Sequence, residues 1–177
     1  MKIQKQAVPM REQAASDRIN NFDEVPLGYN EEEAVAEASR CLQCKHKPCI
    51  KGCPVGIDIP AFIKALKEKD FRKAIEIIHD TDSLPAITGR VCPQEEQCQC
   101  FCVVGKAGES VSIGRLERFL ADWELKNRVI KKSTIKTDAK KIAVIGSGPA
   151  GLACAADLAK MGYKVTAVSY THLTLPT

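Results

Sequence analysis

Several features are missing from this sequence of 177 residues, and each absence excludes a class of function. No apolar run approaches the roughly 20 residues that a bilayer-spanning helix needs. The first residues contain neither the apolar stretch nor the cleavage-site pattern of a secretory signal. The formal net charge is +4, but the basic residues alternate with acidic ones and form no clustered stripe of the kind that nucleic-acid binding requires. We therefore expect a cytoplasmic protein that binds neither membranes nor nucleic acids.

What the sequence does contain is cysteine. Apolar residues make up 45% and charged residues 27%, a balance typical of a soluble globular protein. The nine cysteines are an odd number, which argues against a closed set of disulfides. In a reducing cytosol such thiols are more often metal ligands than disulfide partners. The composition therefore favours metal binding.

Apolar periodicity and turn signals divide the chain into segments. We predict an α-helical domain over residues 1–135, a linker over 136–140, the start of a second domain over 141–168, and a foreign tail over 169–177. In the first domain an extended arm with at most short helices is expected up to Tyr29, where Pro and Gly punctuate the chain. Capping residues and apolar stripes then predict helices over about 31–40, 58–69, 70–78, 84–89 and 113–127. In the second domain a strand over 141–145, a helix over 149–161 and a strand over 163–168 are predicted.

Two loops hold most of the cysteines. The first has the spacing C-x2-C-x4-C-x3-C, with Pro54 after its last cysteine, and comprises Cys41, Cys44, Cys49 and Cys53. The second has the spacing C-x5-C-x3-C and comprises Cys92, Cys98 and Cys102, with Cys100 between the last two. The bacterial ferredoxin run also ends in Cys-Pro, and its last cysteine ligates the other cluster of a two-cluster protein. By this logic the first three cysteines hold one iron-sulfur cluster and Cys53 turns to a second.

Other interpretations of these residues stay open. A pair of structural zinc sites would also use thiolates, although zinc sites usually show two CxxC pairs. Cys100 is either a spare thiol or a competitor of Cys98 or Cys102. Cys154 lies among alanines, which predicts a small buried core residue. His46 and His79 are expected to be solvated, and we assign no role to either.

Four short motifs resemble a known family. They lie at 9–13 (PMREQ), 40–44 (RCLQC), 89–94 (GRVCPQ) and 113–118 (IGRLER). The resemblance is to the N-terminal domain shared by the small subunit of NADPH-dependent glutamate synthase, dihydropyrimidine dehydrogenase and the large subunit of the electron-bifurcating ferredoxin-NADP transhydrogenase. It implies an α-helical ferredoxin-like domain with two 4Fe-4S clusters, in which Cys102 completes the first cluster. It also implies that Cys53, Cys92, Cys98 and Glu117 hold the second.

The residues around Glu117 support a buried carboxylate independently. Glu117 lies in an apolar stripe, four residues after Ile113 and three before Leu120, with no basic residue at helical spacing. A buried carboxylate needs a cation, and an iron of a cluster is one. The alternative is an ordinary glutamate at an exposed helix edge.

A glycine motif begins the second domain. The predicted strand is followed by G-x-G-x-x-G, formed by Gly146, Ser147, Gly148, Pro149, Ala150 and Gly151. In this setting the motif is typical of the first β-α-β unit of a Rossmann domain, where the glycines let the backbone approach a pyrophosphate. The resemblance assigns it to FAD. An acidic residue should follow the second strand to bind the ribose, but Ser169 stands there, and the residues from 169 onwards do not resemble the family's continuation.

The resemblance implies an NADPH-dependent oxidoreductase, most like the glutamate synthase small subunit. NADPH would reduce FAD, and the clusters would pass electrons to a flavin in the large subunit, where glutamine and 2-oxoglutarate become glutamate. The NADPH site would lie in a missing C-terminal part, so this chain is expected to be inactive alone, and no acid-base catalytic residue is predicted in it. Two alternatives are the transhydrogenase large subunit, which exchanges electrons with ferredoxin, and a zinc-stabilised interaction module without a redox role.

Overall fold

The computed structural model describes residues 4–127 and 138–169. The chain forms two compact units, one up to residue 128 and the other from residue 129 onwards. Residues 136–137 of the predicted linker and residues 170–177 of the predicted tail lie outside the described residues. In the described part of the chain, no helix combines the length and the apolar character needed to cross a bilayer.

The first unit begins with an arm. Two short antiparallel strands, β1 (Arg11–Glu12) and β2 (Pro26–Gly28), flank the short helix α1 (Ala15–Arg18). The Tyr29 hydroxyl donates a hydrogen bond of 2.5 Å to the carbonyl of Val8, which holds the arm against the helices that follow. The prediction of an arm with at most short helices is confirmed, whereas the strand pairing was not expected.

Helices α2 (Glu31–Ala38), α4 (Ile59–Lys67) and α5 (Phe71–His79) begin at the capping residues that the sequence indicates. Asn30 and Glu33 form a reciprocal capping box, with hydrogen bonds of 2.8 and 2.7 Å. Asp58 caps α4 and Asp70 caps α5. Between these two helices Lys69 has a φ of +62°, a left-handed conformation that ends α4 two residues earlier than predicted.

The remaining helices of this unit border the cysteine loops. Within the first loop lies the one-turn helix α3 (Pro48–Lys51), which the sequence did not predict. Helix α6 (Pro85–Val91) leads into the second loop, a short 3-10 helix (Val103–Lys106) follows it, and α7 (Ile113–Asn127) has the predicted bounds. Helices α6 and α7 pack closely at Gly89, where a Cβ atom would lie only 2.8 Å from the backbone nitrogen of Arg118.

The core of this unit is formed by the apolar stripes of its longer helices. Its fully buried members include Phe62, Ile63 and Leu66 of α4, Ala74, Ile75 and Ile78 of α5, and Leu116 and Leu120 of α7. Full burial of a leucine, isoleucine or phenylalanine side chain stabilises the fold by about 1.5–3 kcal/mol. Phe71 makes edge contacts with Phe119 and Trp123, at ring-centroid distances of 5.4 and 5.6 Å. This core holds α7 in place beside both cysteine loops.

The second unit contains two parallel strands, β3 (Lys141–Ile145) and β4 (Lys164–Val168), joined through helix α8 (Pro149–Lys160). Lys141 lies opposite Lys164 and Ile145 opposite Val168. The prediction that Cys154 is a buried core residue is wrong, because its side chain is exposed. A two-stranded sheet covers only one side of α8, and Cys154 lies outside that contact.

Candidate metal centres and glycine loop

A small cavity lies between the two cysteine loops. Its wall includes the thiols of Cys41, Cys44, Cys49 and Cys102. The rest of the wall is apolar and consists of Leu42, Pro48, Ile59, Pro60, Ile63, Val103, Val104, Val111 and Ile113. The fold thus brings three cysteines of the first loop together with the last cysteine of the second, around one small cavity with an otherwise apolar wall.

Local backbone conformation shapes the first loop around this cavity. Gln43 and Lys47 have left-handed φ values of +51° and +40°, which turn the chain sharply on either side of Cys44. The Gln43 amide donates 3.0 Å to the carbonyl of Pro60 and 3.5 Å to the sulfur of Cys41. Gln43 therefore ties the loop to α4, and a hydrogen bond to a ligand sulfur is one way in which a protein tunes a cluster.

Two thiols of this cavity, Cys41 and Cys49, favour the neutral form when no cation is near. Burial raises the pKa of Cys41, and the neighbouring Cys102 and Cys44 raise it further. Burial, followed by the proximity of Cys41 and Cys102, raises the pKa of Cys49 to about 11. Several thiolates can coexist in such a place only with a compensating positive charge, which metal ions supply.

A second group of anionic side chains lies between the second loop and α7. Burial is the main cause that raises the pKa of Cys98 to about 12, and Cys53 and Glu117 raise it further. Burial also raises the pKa of Cys92, and Glu117, Asp82 and Cys53 add to the effect. These mutual effects place Cys53, Cys92, Cys98 and Glu117 near one another. Cys53 thus lies near the second group, and its assignment to a second cluster stays a prediction.

Glu117 is 6% exposed, so its predicted burial is confirmed and the exposed helix edge is excluded. Burial raises the pKa of its carboxyl to about 7, with a smaller raising effect from Asp82 and a lowering effect from the Thr88 hydroxyl. The Thr88 oxygen lies 2.6 Å from Glu117 Oε1 and 2.6 Å from Asp82 Oδ2. A hydroxyl has one hydrogen to donate, so both contacts are hydrogen bonds only if one of the two carboxyls carries a proton.

Neither group has the geometry of a single-ion site. Among the residues that the structure describes, no three His, Cys, Asp or Glu side chains meet closely enough to hold one metal ion. A tetrahedral zinc site would need its thiolates roughly 3.8 Å apart, because each lies about 2.3 Å from the metal. In an iron-sulfur cluster each thiolate binds its own iron, so the sulfurs stand further apart around a larger body. Four thiols around one apolar cavity are a donor set that suits such a cluster.

The remaining cysteines and histidines belong to neither group. Cys100 is exposed, and His46 is exposed as expected. The prediction that His79 is solvated is wrong: its ring is half-buried and bridges the carbonyl of Asp82, at 3.1 Å, and the carboxylate of Glu124, at 2.8 Å. His79 ends α5 beside α7, and the packing of these two helices covers it.

A buried ion pair that was not predicted from the sequence lies directly before the first cysteine loop. The Glu37 carboxylate accepts hydrogen bonds from Arg40 at 2.5 Å, from the Val8 amide at 2.7 Å and from the Ser112 amide at 2.8 Å. Arg40 also donates to the carbonyls of Gln4, Lys5, Glu109 and Ser110. The pair thus joins the N-terminal arm to the residues that follow the second loop. Arg40 itself directly precedes Cys41, the first cysteine of the first loop. The i, i+3 spacing of an acid and a base in α2 was the available signal.

The glycine loop lies between β3 and α8 in the second unit. Gly146 has a φ of +107°, and its amide donates 2.8 Å to the carbonyl of Val168. A Cβ atom on Gly151 would lie 2.0 Å from the Gly146 carbonyl oxygen, so only glycine allows this approach of helix and strand. Nothing lies within 4 Å of the corresponding position on Gly148, which begins α8. The first turn of α8 therefore presents backbone N–H groups to open space, an arrangement suited to phosphate.

Comparison with known proteins decides the family. Residues 18–129 match the family model described as dihydropyrimidine dehydrogenase domain II, 4Fe-4S cluster. The chain belongs to this family. Residues 141–175 match the model of an FAD binding domain. The first unit is therefore an iron-sulfur domain of the dihydropyrimidine dehydrogenase type, and the start of an FAD-related domain follows it.

Relatives with different named functions are similar to this chain at nearly equal sequence identity. AegA of Escherichia coli, named as a candidate oxidoreductase, is 41% identical over 170 residues, which cover 92% of this chain and 26% of the relative. The small chain of NADPH-dependent glutamate synthase of Escherichia coli is 40% identical over 145 residues, which cover 81% of this chain and 30% of the relative. The PreT subunit of NAD-dependent dihydropyrimidine dehydrogenase of Escherichia coli is 38% identical over 148 residues, 83% of this chain and 36% of the relative.

The resemblance expected from the cysteine motifs is confirmed, because a glutamate synthase small chain and a dihydropyrimidine dehydrogenase subunit both match. The chain spans between 26% and 36% of the length of these relatives. Most of the length of each relative therefore has no counterpart in these 177 residues.

Proposed function

We propose that this chain holds two 4Fe-4S clusters and, with an FAD bound at the glycine loop, forms the electron-transfer part of an NADPH-dependent oxidoreductase. The observation that carries the proposal is the convergence of cysteines from two distant loops on one apolar cavity. Cys41, Cys44, Cys49 and Cys102 would hold the first cluster. Cys53, Cys92, Cys98 and Glu117 would hold the second, which their proximity supports.

The second unit would be the first β-α-β unit of a Rossmann-type FAD domain. The parallel pairing of β3 and β4, the positive φ of Gly146 and the close approach at Gly151 support this assignment. Gly146, Ser147, Gly148, Pro149, Ala150 and Gly151 would lie against the pyrophosphate, whose charge the N-terminal end of α8 favours. Ser169 directly follows β4, so the ribose would be bound without the acidic residue usual at that position.

Among the matched activities, that of the glutamate synthase small chain is our first candidate. In that role the bound cofactors would take a hydride from NADPH and pass its electrons singly to a partner flavoprotein, the large subunit, for glutamate synthesis. A cytoplasmic location agrees with this role. The second candidate is the equivalent subunit of dihydropyrimidine dehydrogenase, because PreT is nearly as similar to this chain. The domain itself suits either role, since electron transfer requires the clusters and not a particular substrate.

Metal analysis of the chain, purified without oxygen, tests the cluster proposal. We expect about eight iron atoms and eight sulfide ions per chain, as two 4Fe-4S clusters require. Cys102→Ser should remove the signal of one cluster and Cys92→Ser that of the other, while Cys154→Ser, outside both groups, should leave both. A colourless protein that contains zinc and no sulfide would contradict the proposal and favour the zinc-stabilised module.

Partner tests separate the two candidate roles. The chain with reduced clusters is mixed with the glutamate synthase large subunit, or with the partner subunit of dihydropyrimidine dehydrogenase, and cluster reoxidation is followed by absorbance. Under the first candidate, reoxidation occurs with the glutamate synthase subunit and depends on added glutamine and 2-oxoglutarate. Reoxidation only by the dihydropyrimidine dehydrogenase subunit and a pyrimidine would favour the second candidate.

A further inference from the structure

Thr88 connects two buried carboxyl groups beside the second cysteine group. Its hydroxyl lies 2.6 Å from Asp82 Oδ2 and 2.6 Å from Glu117 Oε1, and Asp82 and Glu117 are each 6% exposed. The hydroxyl also lies 3.1 Å from the carbonyl of Leu84, one helical turn earlier. Among residues 4–127 and 138–169, no group donates a hydrogen bond to the second carboxylate oxygen of Glu117, Oε2. Glu117 is thus held by one oxygen and left with the other free to bind.

Three features make this connection rigid. Asp82 is fixed by the Leu84 amide, which donates 2.8 Å to its other oxygen, Oδ1. Thr88 lies in the middle of α6, where its β-branched side chain has few rotamers. Gly89 lets α6 approach the backbone of α7 so closely that Thr88 and Glu117 face each other across the contact. A carboxylate at the end of a flexible side chain is thereby held in one orientation.

Two cysteine thiols lie close to the Glu117 carboxyl group. Cys92 and Cys98 both lie near enough to Glu117 for its charge to affect their thiols. Metal ligands are commonly oriented by a hydrogen bond from a second residue, and loss of that residue typically costs roughly 10- to 100-fold in metal affinity or activity. A carboxylate has more rotational freedom than a thiolate in a tight loop, so it has the greater need of such a partner.

We propose that Asp82 and Thr88 are positioning residues, which hold one oxygen of Glu117 so that the other can bind an iron of the second cluster. This inference rests on the proposed function, because Asp82 and Thr88 can position a ligand only if Glu117 binds the cluster. Thr88 acts through Glu117, whereas Asp82 also lies near enough to Cys92 for its charge to affect that thiol. The positioning effect itself passes through Glu117 and leaves the first cavity unchanged.

The test uses the whole chain, purified without oxygen, with electron paramagnetic resonance spectra of the reduced clusters and the rate of iron loss to a chelator as readouts. Thr88→Val keeps the size of the side chain and removes its hydroxyl, whereas Thr88→Ser keeps the hydroxyl. Thr81→Val is the matched control, because Thr81 is exposed. Asp82→Asn changes the group that faces Thr88, and Glu117→Ala provides the spectrum expected when the ligand is lost.

We expect Thr88→Val to change the spectrum of the second cluster and to accelerate the loss of its iron roughly 10- to 100-fold. The first cluster should be unchanged, which shows within the same molecule that the domain is folded. Thr88→Ser and Thr81→Val should resemble the unsubstituted chain. Asp82→Asn should alter the same signal, but Asp82 also lies near Cys92, so the effect supports positioning only if it disappears when Thr88 is already valine. An effect that persists in the Thr88→Val background, or no effect at all, would remove Asp82 from the proposal.

Several outcomes would overturn the inference and also show which step failed. If Glu117→Ala alters the second cluster and Thr88→Val does not, the ligand assignment stands and the positioning role is wrong. If Thr88→Val loses both clusters, the serine variant decides, since a Thr88→Ser chain with an altered second cluster would contradict a role for the hydroxyl. If the unsubstituted chain contains no iron or sulfide, the proposed function itself fails.

Discussion

Loss of one partner of the buried ion pair between Glu37 and Arg40 should strongly destabilise the iron-sulfur unit. The two side chains are 0% and 1% exposed, and the carboxylate accepts three hydrogen bonds. Glu37→Ala leaves the Arg40 guanidinium without its counter-ion and two backbone amides, those of Val8 and Ser112, without an acceptor. Removal of one partner of a buried pair typically costs about 3–5 kcal/mol, because an uncompensated charge remains out of water.

Urea unfolding measures this cost. If the variant loses about 4 kcal/mol and the slope is about 2 kcal/mol per molar, the midpoint should fall by about 2 M. The fluorescence of Trp123 suits the measurement, because it is the only tryptophan in the sequence and it packs on Phe71 in this unit. The loss would be a large part of a total stability of about 5–15 kcal/mol.

The control is the exposed pair of Glu31 and Lys69, whose atoms are 3.0 Å apart and whose side chains are 51% and 61% exposed. Glu31→Ala should lower the free energy of unfolding by less than about 1 kcal/mol, because water already screens the two charges. A midpoint for Glu37→Ala as high as that of Glu31→Ala would refute the reasoning. Since Arg40 directly precedes Cys41, we also expect Glu37→Ala to lose iron from the first cluster faster.

Three further predictions follow from other contacts. Gly89→Ala should lower the free energy of unfolding by about 1–3 kcal/mol, because the added methyl group would meet the backbone of Arg118 at 2.8 Å. Cys100→Ser should leave iron and sulfide contents unchanged, since this thiol is exposed. The hydrogen bond from Arg90 holds the pKa of Glu24 below its ordinary value of 4.5, so Glu24 stabilises the fold above that pH and the gain is lost as the pH falls. Glu24→Gln should therefore lower stability by less than about 1 kcal/mol at neutral pH, and by progressively less in acid.

Each of these has a result that would contradict it. An unchanged urea midpoint for Gly89→Ala would mean that α6 and α7 separate without cost. Loss of a cluster in Cys100→Ser would make that residue a ligand in place of Cys98 or Cys102. A stability difference for Glu24→Gln that grows as the pH falls would reverse the inferred sign of the pKa shift.

The local signals in the sequence predicted most helices well. The capping box at Asn30 and the caps at Asp58 and Asp70 act between residues three positions apart, so the sequence alone contains them. The bounds of α7 were exact because one uninterrupted apolar stripe defines it. The short helix α3 was missed because its single turn is shaped by the cysteine loop around it.

The candidate site was predictable only in part. The spacing of the cysteines is a property of the sequence, and it indicated an iron-sulfur domain, which the family match confirms. The ligand residues, Glu117 among them, stay a prediction. The partners of those residues were not predictable. Thr88 lies 29 positions before Glu117 and reaches it only because α6 and α7 pack at Gly89, and Asp82, 35 positions before Glu117, contacts Thr88. The structure likewise corrected His79 and Cys154, whose exposure depends on which helix or strand lies next to them.

The sequence by itself therefore determined the chemistry of this protein: thiols in two loops, a carboxylate within an apolar stripe and a glycine turn between a strand and a helix. These are covalent and short-range properties, and composition and spacing specify them. Only the tertiary structure decided which thiols face the same cavity, which carboxylate is held by a hydroxyl and which charges are buried together. Such choices depend on the packing of helices that are distant in the chain, where burial and mutual proximity, and not residue type, set the energy of each group.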